Sequence, residues 1–196
     1  RQRQGAVPEG EKTKELISRI EKESMRMGSL VEDLLMLARI DQSREIVMAD
    51  VDLSTLIKEA VTSAQVAGQE HPITSDIAGD IHKQGDADKI YQVVTNLLAN
   101  ARAHTPVGTA IHVATYSTED GSYVTVADKG PGLTAEDQQH IFERFYRVDT
   151  SRQRSSNDGS GLGLSIVDEV MKAHGGTVSV VSESGNGATF TLHFKN

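Results

Sequence analysis

DADKIYQVVTNLLANARA, residues 86–103, reads as a helix with two different faces. Ile90, Val93, Val94, Leu97, Leu98 and Ala101 recur at three- and four-residue steps, which predicts a stripe turned towards a core. Asn96 and Asn100 stand four residues apart, so their carboxamides share another face. Two carboxamides offer neutral oxygens, which suit Mg²⁺ when the phosphates of a substrate bring the charge. Taken alone, one such pair is a weak signal and reads first as surface or capping amides.

Working outward, Asp52–Gln65 predicts a second helix with Asp52 or Ser54 as its N-cap, and His71–Ile77 a strand with Pro72 near its start. Ser43–Asp50 reads as a linker or a short strand. Downstream, Ile111–Tyr116 and Tyr123–Ala127 predict paired strands around Glu119-Asp120-Gly121. Ala135–Ile141 predicts a short helix capped by Thr134. Leu162–His174 predicts another, ended by Gly175-Gly176. Thr177–Val181 and Ala188–Phe194 predict a final hairpin whose Phe190, Leu192 and Phe194 alternate onto one buried face. Far upstream, Glu11–Asp41 carries apolar residues at Leu16, Ile20, Met27, Leu30, Leu34 and Leu37. A second stripe through Ile17, Val31, Leu35 and Ala38 widens the face to that of a bundle helix. The expected architecture is α+β, with helices covering one face of a mixed sheet over residues 45–196 and one long bundle-type helix within residues 1–44.

Composition removes several classes of function. The 196 residues carry 20 Lys+Arg against 28 Asp+Glu, a net charge of −8. A general nucleic-acid binder would need a basic footprint. There is no Cys, which excludes disulfide scaffolds, thiolate metal sites and a cysteine nucleophile. The longest apolar run, Leu34–Ala38, is far short of the ~20 residues of a membrane span. Of the 17 glycines, 11 lie from Gly108 onward, many in pairs and triplets, so turns compete with a ligand cradle as their explanation.

Three such clusters carry chemistry. Asp128-Lys129-Gly130-Pro131-Gly132 follows a predicted strand, where an Asp can accept a hydrogen bond from an amine such as that of adenine. A plain strand-exit turn is the alternative. Gly159-Ser160-Gly161-Leu162-Gly163-Leu164 leads into a helix, whose N–H groups and positive dipole end favour phosphate. A polar loop over residues 146–160, not a strand, precedes it, so a dinucleotide-binding fingerprint fails; a P-loop pattern is absent. Gly185-Asn186-Gly187-Ala188-Thr189-Phe190 taken alone is a hairpin turn.

The order of these boxes is more specific than any one of them. With Ile141-Phe142-Glu143-Arg144-Phe145-Tyr146-Arg147 between the second and third, the chain resembles the catalytic and ATP-binding domain of bacterial sensor histidine kinases, a two-layer α/β sandwich of the Bergerat ATP-binding type. Glu23-Ser24-Met25-Arg26-Met27 and Leu30-Val31-Glu32-Asp33-Leu34-Leu35 resemble the second helix of that family's dimerisation and phosphotransfer domain. The resemblance implies a bound ATP and Mg²⁺. Asn100 would coordinate the metal with Asn96 in support. Asp128 would hold the adenine amino group, Gly130 and Gly132 would floor the pocket, Thr189 would help close it, and His104 would lie beside the base. Tyr146–Gly159 would form a lid begun by Phe142 and Phe145, with Tyr146 lining the site and Arg147 reaching phosphate. Gly159, Gly161 and Gly163 would shape the lid's end, with amides near Leu162 on the phosphates. Where many members carry a Lys, this chain has Ala103, and Arg102 is the substitute to test.

The resemblance also implies a histidine acceptor followed by an acidic residue. The residues after His71, His82, His104, His112, His140, His174 and His193 are Pro, Lys, Thr, Val, Ile, Gly and Phe. The expectation is therefore a chain that starts just past the acceptor helix. It would be a cytoplasmic piece of a homodimeric, membrane-anchored sensor whose partner is a response-regulator receiver domain. With Asn96 where hydrolysing relatives place a Glu, intrinsic ATP hydrolysis should be slow. A nucleotide-binding or dimerisation module without catalysis is the alternative, and an anti-sigma-factor kinase a third reading. The unpartnered stripe from Leu16 to Leu37 should seek cover in a second copy or on the α+β domain.

Overall fold

The computed structural model describes residues 46–148 and 161–196, together with helical positions between Thr13 and Leu35. The remainder of the helix expected over Glu11–Asp41, and residues 149–160 with Gly159, lie outside the described residues. In chain order the elements are β1 (Ala49–Asp52), α1 (Leu53–Ala67), β2 (Ile73–Ile77), β3 (His82–Gly85), α2 (Ala87–Ala103), β4 (Ile111–Thr118), β5 (Gly121–Asp128), α3 (Ala135–His140), α4 (Gly163–Ala173), β6 (Thr177–Ser182) and β7 (Ala188–Lys195).

Five strands form a mixed sheet in the order β2-β4-β5-β7-β6. β2 runs parallel to β4, and the other neighbours are antiparallel. Strand alternation puts Ile111, Val113, Val124, Val126, Phe190, Leu192 and Phe194 on one face, all buried. The apolar stripe of α2, from Ile90 to Ala101, joins them in one core with Leu53, Ile57, Ile166, Val170 and Met171. The helices therefore form the second layer. On the opposite face Tyr116, Tyr123 and His193 stack in a row across three strands, with ring centroids 4.9 and 4.4 Å apart.

The helices α1, α2 and α3 each begin where the sequence provides a cap. The Asp52 carboxylate accepts the Thr55 N–H at 2.9 Å, and that of Asp86 the Lys89 N–H at 3.1 Å. Ser54, the other cap considered for α1, is instead buried: its hydroxyl donates to Ala78 O and accepts from Ile81 N–H. Thr134 and Asp137 form a reciprocal capping box at α3. A two-stranded ladder of β1 and β3 was not expected in full, because His82-Lys83-Gln84-Gly85 shows no apolar alternation.

Candidate functional site

α2 is the backbone of the site. Its buried stripe fixes its rotation against the sheet, which leaves Asn96 and Asn100 half-buried on a different face. Asn96 Nδ2 donates to Gly163 O at 3.4 Å, so this carboxamide stands against the first turn of α4. Leu162 is the N-cap of α4, fully buried, and offers no side-chain hydrogen bond to the helix end. The Ser165 hydroxyl donates back to Leu162 O at 2.8 Å. A helix N-terminus without a side-chain cap, next to the Asn96 carboxamide, is the kind of place where backbone N–H groups can meet an anion.

The other end of α2 meets Asp128. After the helix, Thr105 packs its methyl on Gly130: a Cβ added to Gly130 would lie 2.5 Å from Thr105 Cγ2 and 2.8 Å from Asp128 Oδ1. Gly130 N–H donates to Asp128 Oδ1 at 2.8 Å, which folds the chain sharply past the end of β5. Gly187 closes the same corner with φ +82°, and a Cβ there would fall 2.0 Å from Asp128 O. Only glycine fits so near another backbone. Gly132, also at positive φ, packs as closely on Glu183 O. From Asn96 to the helix end at Ala103 is about 10 Å along the axis, so α2 runs from the first turn of α4 to the loop that packs on Gly130.

Four expectations need correction. β7 pairs with β5 so that Asp128 faces Ala188 and Ala127 faces Thr189. Ala188 is on the inner, buried face with Phe190, whereas Thr189 projects from the opposite face of the sheet. Thr189 therefore points away from the helix layer, and Ala188 is the one of the pair that faces it. Arg102 does not turn to the face of Asn96 and Asn100 either. Its Nη2 donates to Ala64 O and, at 2.8 Å, to Gly68 O, at the C-terminus of α1. Tyr146 is turned onto α3: its hydroxyl donates to Asp137 Oδ1 at 2.8 Å and its ring lies 5.7 Å from that of His140. Phe142 does anchor the segment, edge-on to Phe190, but Phe145 is exposed, with φ +65°.

His104 is the exposed C-cap of α2, its N–H on Asn100 O at 3.1 Å. Arg147 is exposed. Gly161 accepts the Phe145 N–H at 3.0 Å and holds φ +73°. Around α3, the Thr134 hydroxyl above all holds the Asp137 carboxyl below the usual carboxylate range; burial opposes it, and the Tyr146 phenol adds a weaker pull downward. The Glu143 carboxylate, 2.7 Å away, raises the His140 imidazole. Thr105 and Ala188 escaped the sequence reading; the parity of β7 would have found Ala188.

The family model described as "Histidine kinase-, DNA gyrase B-, and HSP90-like ATPase" matches residues 85–196. The chain belongs to that family, and within it resembles sensor histidine kinases. It is 45% identical over 170 residues to the probable sensor histidine kinase TcrY of Mycobacterium tuberculosis, covering 86% of this chain and 36% of that one. It is 37% identical over 183 residues to the sensor histidine kinase TrcS of the same organism, covering 90% and 35%. The chain thus spans little more than a third of the length of these relatives. Among solved structures, the mycobacterial sensor histidine kinase MprB superposes with TM-score 0.66 at 26% identity, over 76% of this chain and 97% of that one. Full-length ShkA in complex with AMPPNP superposes with TM-score 0.76 at 25% identity, over 93% and 39%. No helix among the described residues is long and apolar enough to cross a membrane.

Proposed function

We propose that this chain binds ATP in the groove along α2 and presents its γ-phosphoryl group to a histidine imidazole, for relay to an aspartate of a response-regulator receiver domain. The observation that carries the reading is the pairing of Asp128 with the Gly130 and Gly187 corner at one end of α2 and of Asn96 with the start of α4 at the other. Asp128 accepts the adenine amine, and backbone N–H groups at the start of α4 receive phosphate oxygens. Among the described residues no group of three or more His, Asp or Glu could hold a metal ion alone. A neutral oxygen from Asn100, supported by Asn96, fits Mg²⁺ whose remaining ligands are phosphates and water. When bound, the ion supplies neutralisation of phosphate charge.

In the transfer, an imidazole nitrogen attacks the γ-phosphorus, the bond to the β,γ-bridging oxygen breaks, and ADP leaves. The protein's part is positioning. Asn96 cannot serve as a base towards water, so hydrolysis is slow beside transfer. The same reading makes residues 1–44 part of a dimerisation and phosphotransfer unit, 45–196 the catalytic unit, the assembly a homodimer, and the setting the cytoplasmic side of a membrane sensor. None of the seven histidines stands in the family's acceptor motif, so the test supplies the acceptor separately. The chain is mixed with an acceptor helix pair from a sensor kinase and γ-labelled ATP. Label on the acceptor histidine is the expected result. Binding of ATP without transfer favours the non-catalytic module, and absence of ATP binding ends both readings.

A further inference from the structure

Arg102 and His71 tie the α1–β2 connection to the α2–β4 connection. The guanidinium of Arg102 lies over Gly68, its Nη2 shared between Ala64 O and Gly68 O. These carbonyls lie at the C-terminus of α1, whose own last turn has no basic residue, so a cation from the neighbouring helix answers the negative end of its dipole. Arg102 Nε is buried and takes no acceptor among the described residues, so the bonds at Nη2 are what hold the group there. Two to four residues on from Gly68, the chain is joined again: His71, buried, donates from Nε2 to Thr105 O at 3.4 Å, Gly108 N–H donates to Glu70 O at 2.8 Å, and Ile111 N–H to Pro72 O at 2.9 Å. The residue so clamped on both sides is Thr105, whose methyl is packed on Gly130 beside Asp128. Asn100 and Arg102 are about 200° apart around α2, so one turn of helix faces the groove and the clamp at once.

We propose that Arg102 is a positioning residue for the base end of the nucleotide groove: through Ala64 and Gly68 it holds the α2–β4 connection so that Thr105 sets the wall at Gly130 and Asp128. The proposal rests on the nucleotide reading above. It predicts that loosening the clamp harms recognition of the base and spares the phosphate end.

The test is calorimetric titration of the full chain with ATP and with GTP, each with Mg²⁺, for the parent, Arg102→Met and Arg102→Lys. Methionine keeps the packing stem and removes the fork; lysine restores one point charge near the same carbonyls. For Arg102→Met the ATP Kd should rise about five- to tenfold, the size of a lost hydrogen bond, while the GTP Kd moves less than about twofold. Arg102→Lys should recover part of the loss, and carries the comparison alone where the methionine variant does not fold. A folded variant with unchanged ATP affinity, or one losing ATP and GTP by the same factor, overturns the proposal. A parent chain that binds neither nucleotide overturns the nucleotide reading with it.

Discussion

Ala188 and Thr189 are adjacent in β7 and face opposite ways. The difference between them is one step of strand parity, and it decides which one can touch a ligand at Asp128. Asp128 uses Oδ1 for the Gly130 N–H, so a carboxylate keeps its second oxygen for an amine, while an asparagine has one oxygen for both tasks. Asp128→Asn should therefore raise the ATP Kd by about tenfold or more, and Thr189→Val should leave it within about twofold. Titration of both variants checks this, and equal losses would return Thr189 to the pocket. The alternation of Phe190, Leu192 and Phe194 already placed Thr189 off the buried face. The resemblance to a family motif outweighed that parity. Arg102 differs: a helical wheel excludes it from the face of Asn100, but nothing local says that its acceptors are carbonyls 34 and 38 residues away in sequence. The groove was legible where it is built from glycines and side chains inside one box, and illegible where it depends on contacts between distant loops.

The same division holds for whole elements. α1, α2, α3 and α4 were readable because each carries a 3.6-residue apolar stripe, a cap, or both. β1 and β3 are four-residue strands that bury only Val51 and Gly85, so no periodicity marked them. His174 shows how two readable elements are joined by an unreadable contact. It ends α4, as its position before Gly175-Gly176 predicts, with Nδ1–H donating to Val170 O at 2.7 Å. Its Nε2 then accepts the Asp86 N–H at 2.9 Å, at the N-cap of α2. The ring thus links the end of one helix to the start of another through its two nitrogens. Gly85 leaves room for it: a Cβ there would lie 3.0 Å from the imidazole and 2.7 Å from Ile90 Cδ1. His174→Ala orphans a half-buried N–H and should cost about 1–3 kcal/mol. Urea unfolding checks this as a lower midpoint with an unchanged slope. An unchanged midpoint would mean that water replaces the ring without cost.

At the scale of the whole molecule, two opposing surfaces govern its state in solution. Between Thr13 and Leu35 the described helical residues Leu16, Ile17, Ile20, Met27, Val31 and Leu35 are each more than half exposed, whereas Leu30 packs against the core. Completing the burial of each such side chain is worth a fraction of about 1.5–3 kcal/mol, and several on one helix amount to a substantial drive to associate. Against it stands the net charge of −8 on every copy, which repels at low ionic strength and is screened within about 8–10 Å at physiological salt. The apolar term survives salt and the repulsion does not. Sedimentation velocity should therefore show self-association that rises with protein concentration and strengthens from low to physiological salt. Replacing Ile17, Ile20 and Val31 together by Glu should abolish it, because charge then occupies the apolar stripe itself. ATP affinity should stay unchanged in that variant, since the groove along α2 is built without these residues. A parent chain that sediments as a monomer at every concentration and salt would show that the contact of Leu30 with the core already gives the helix sufficient cover.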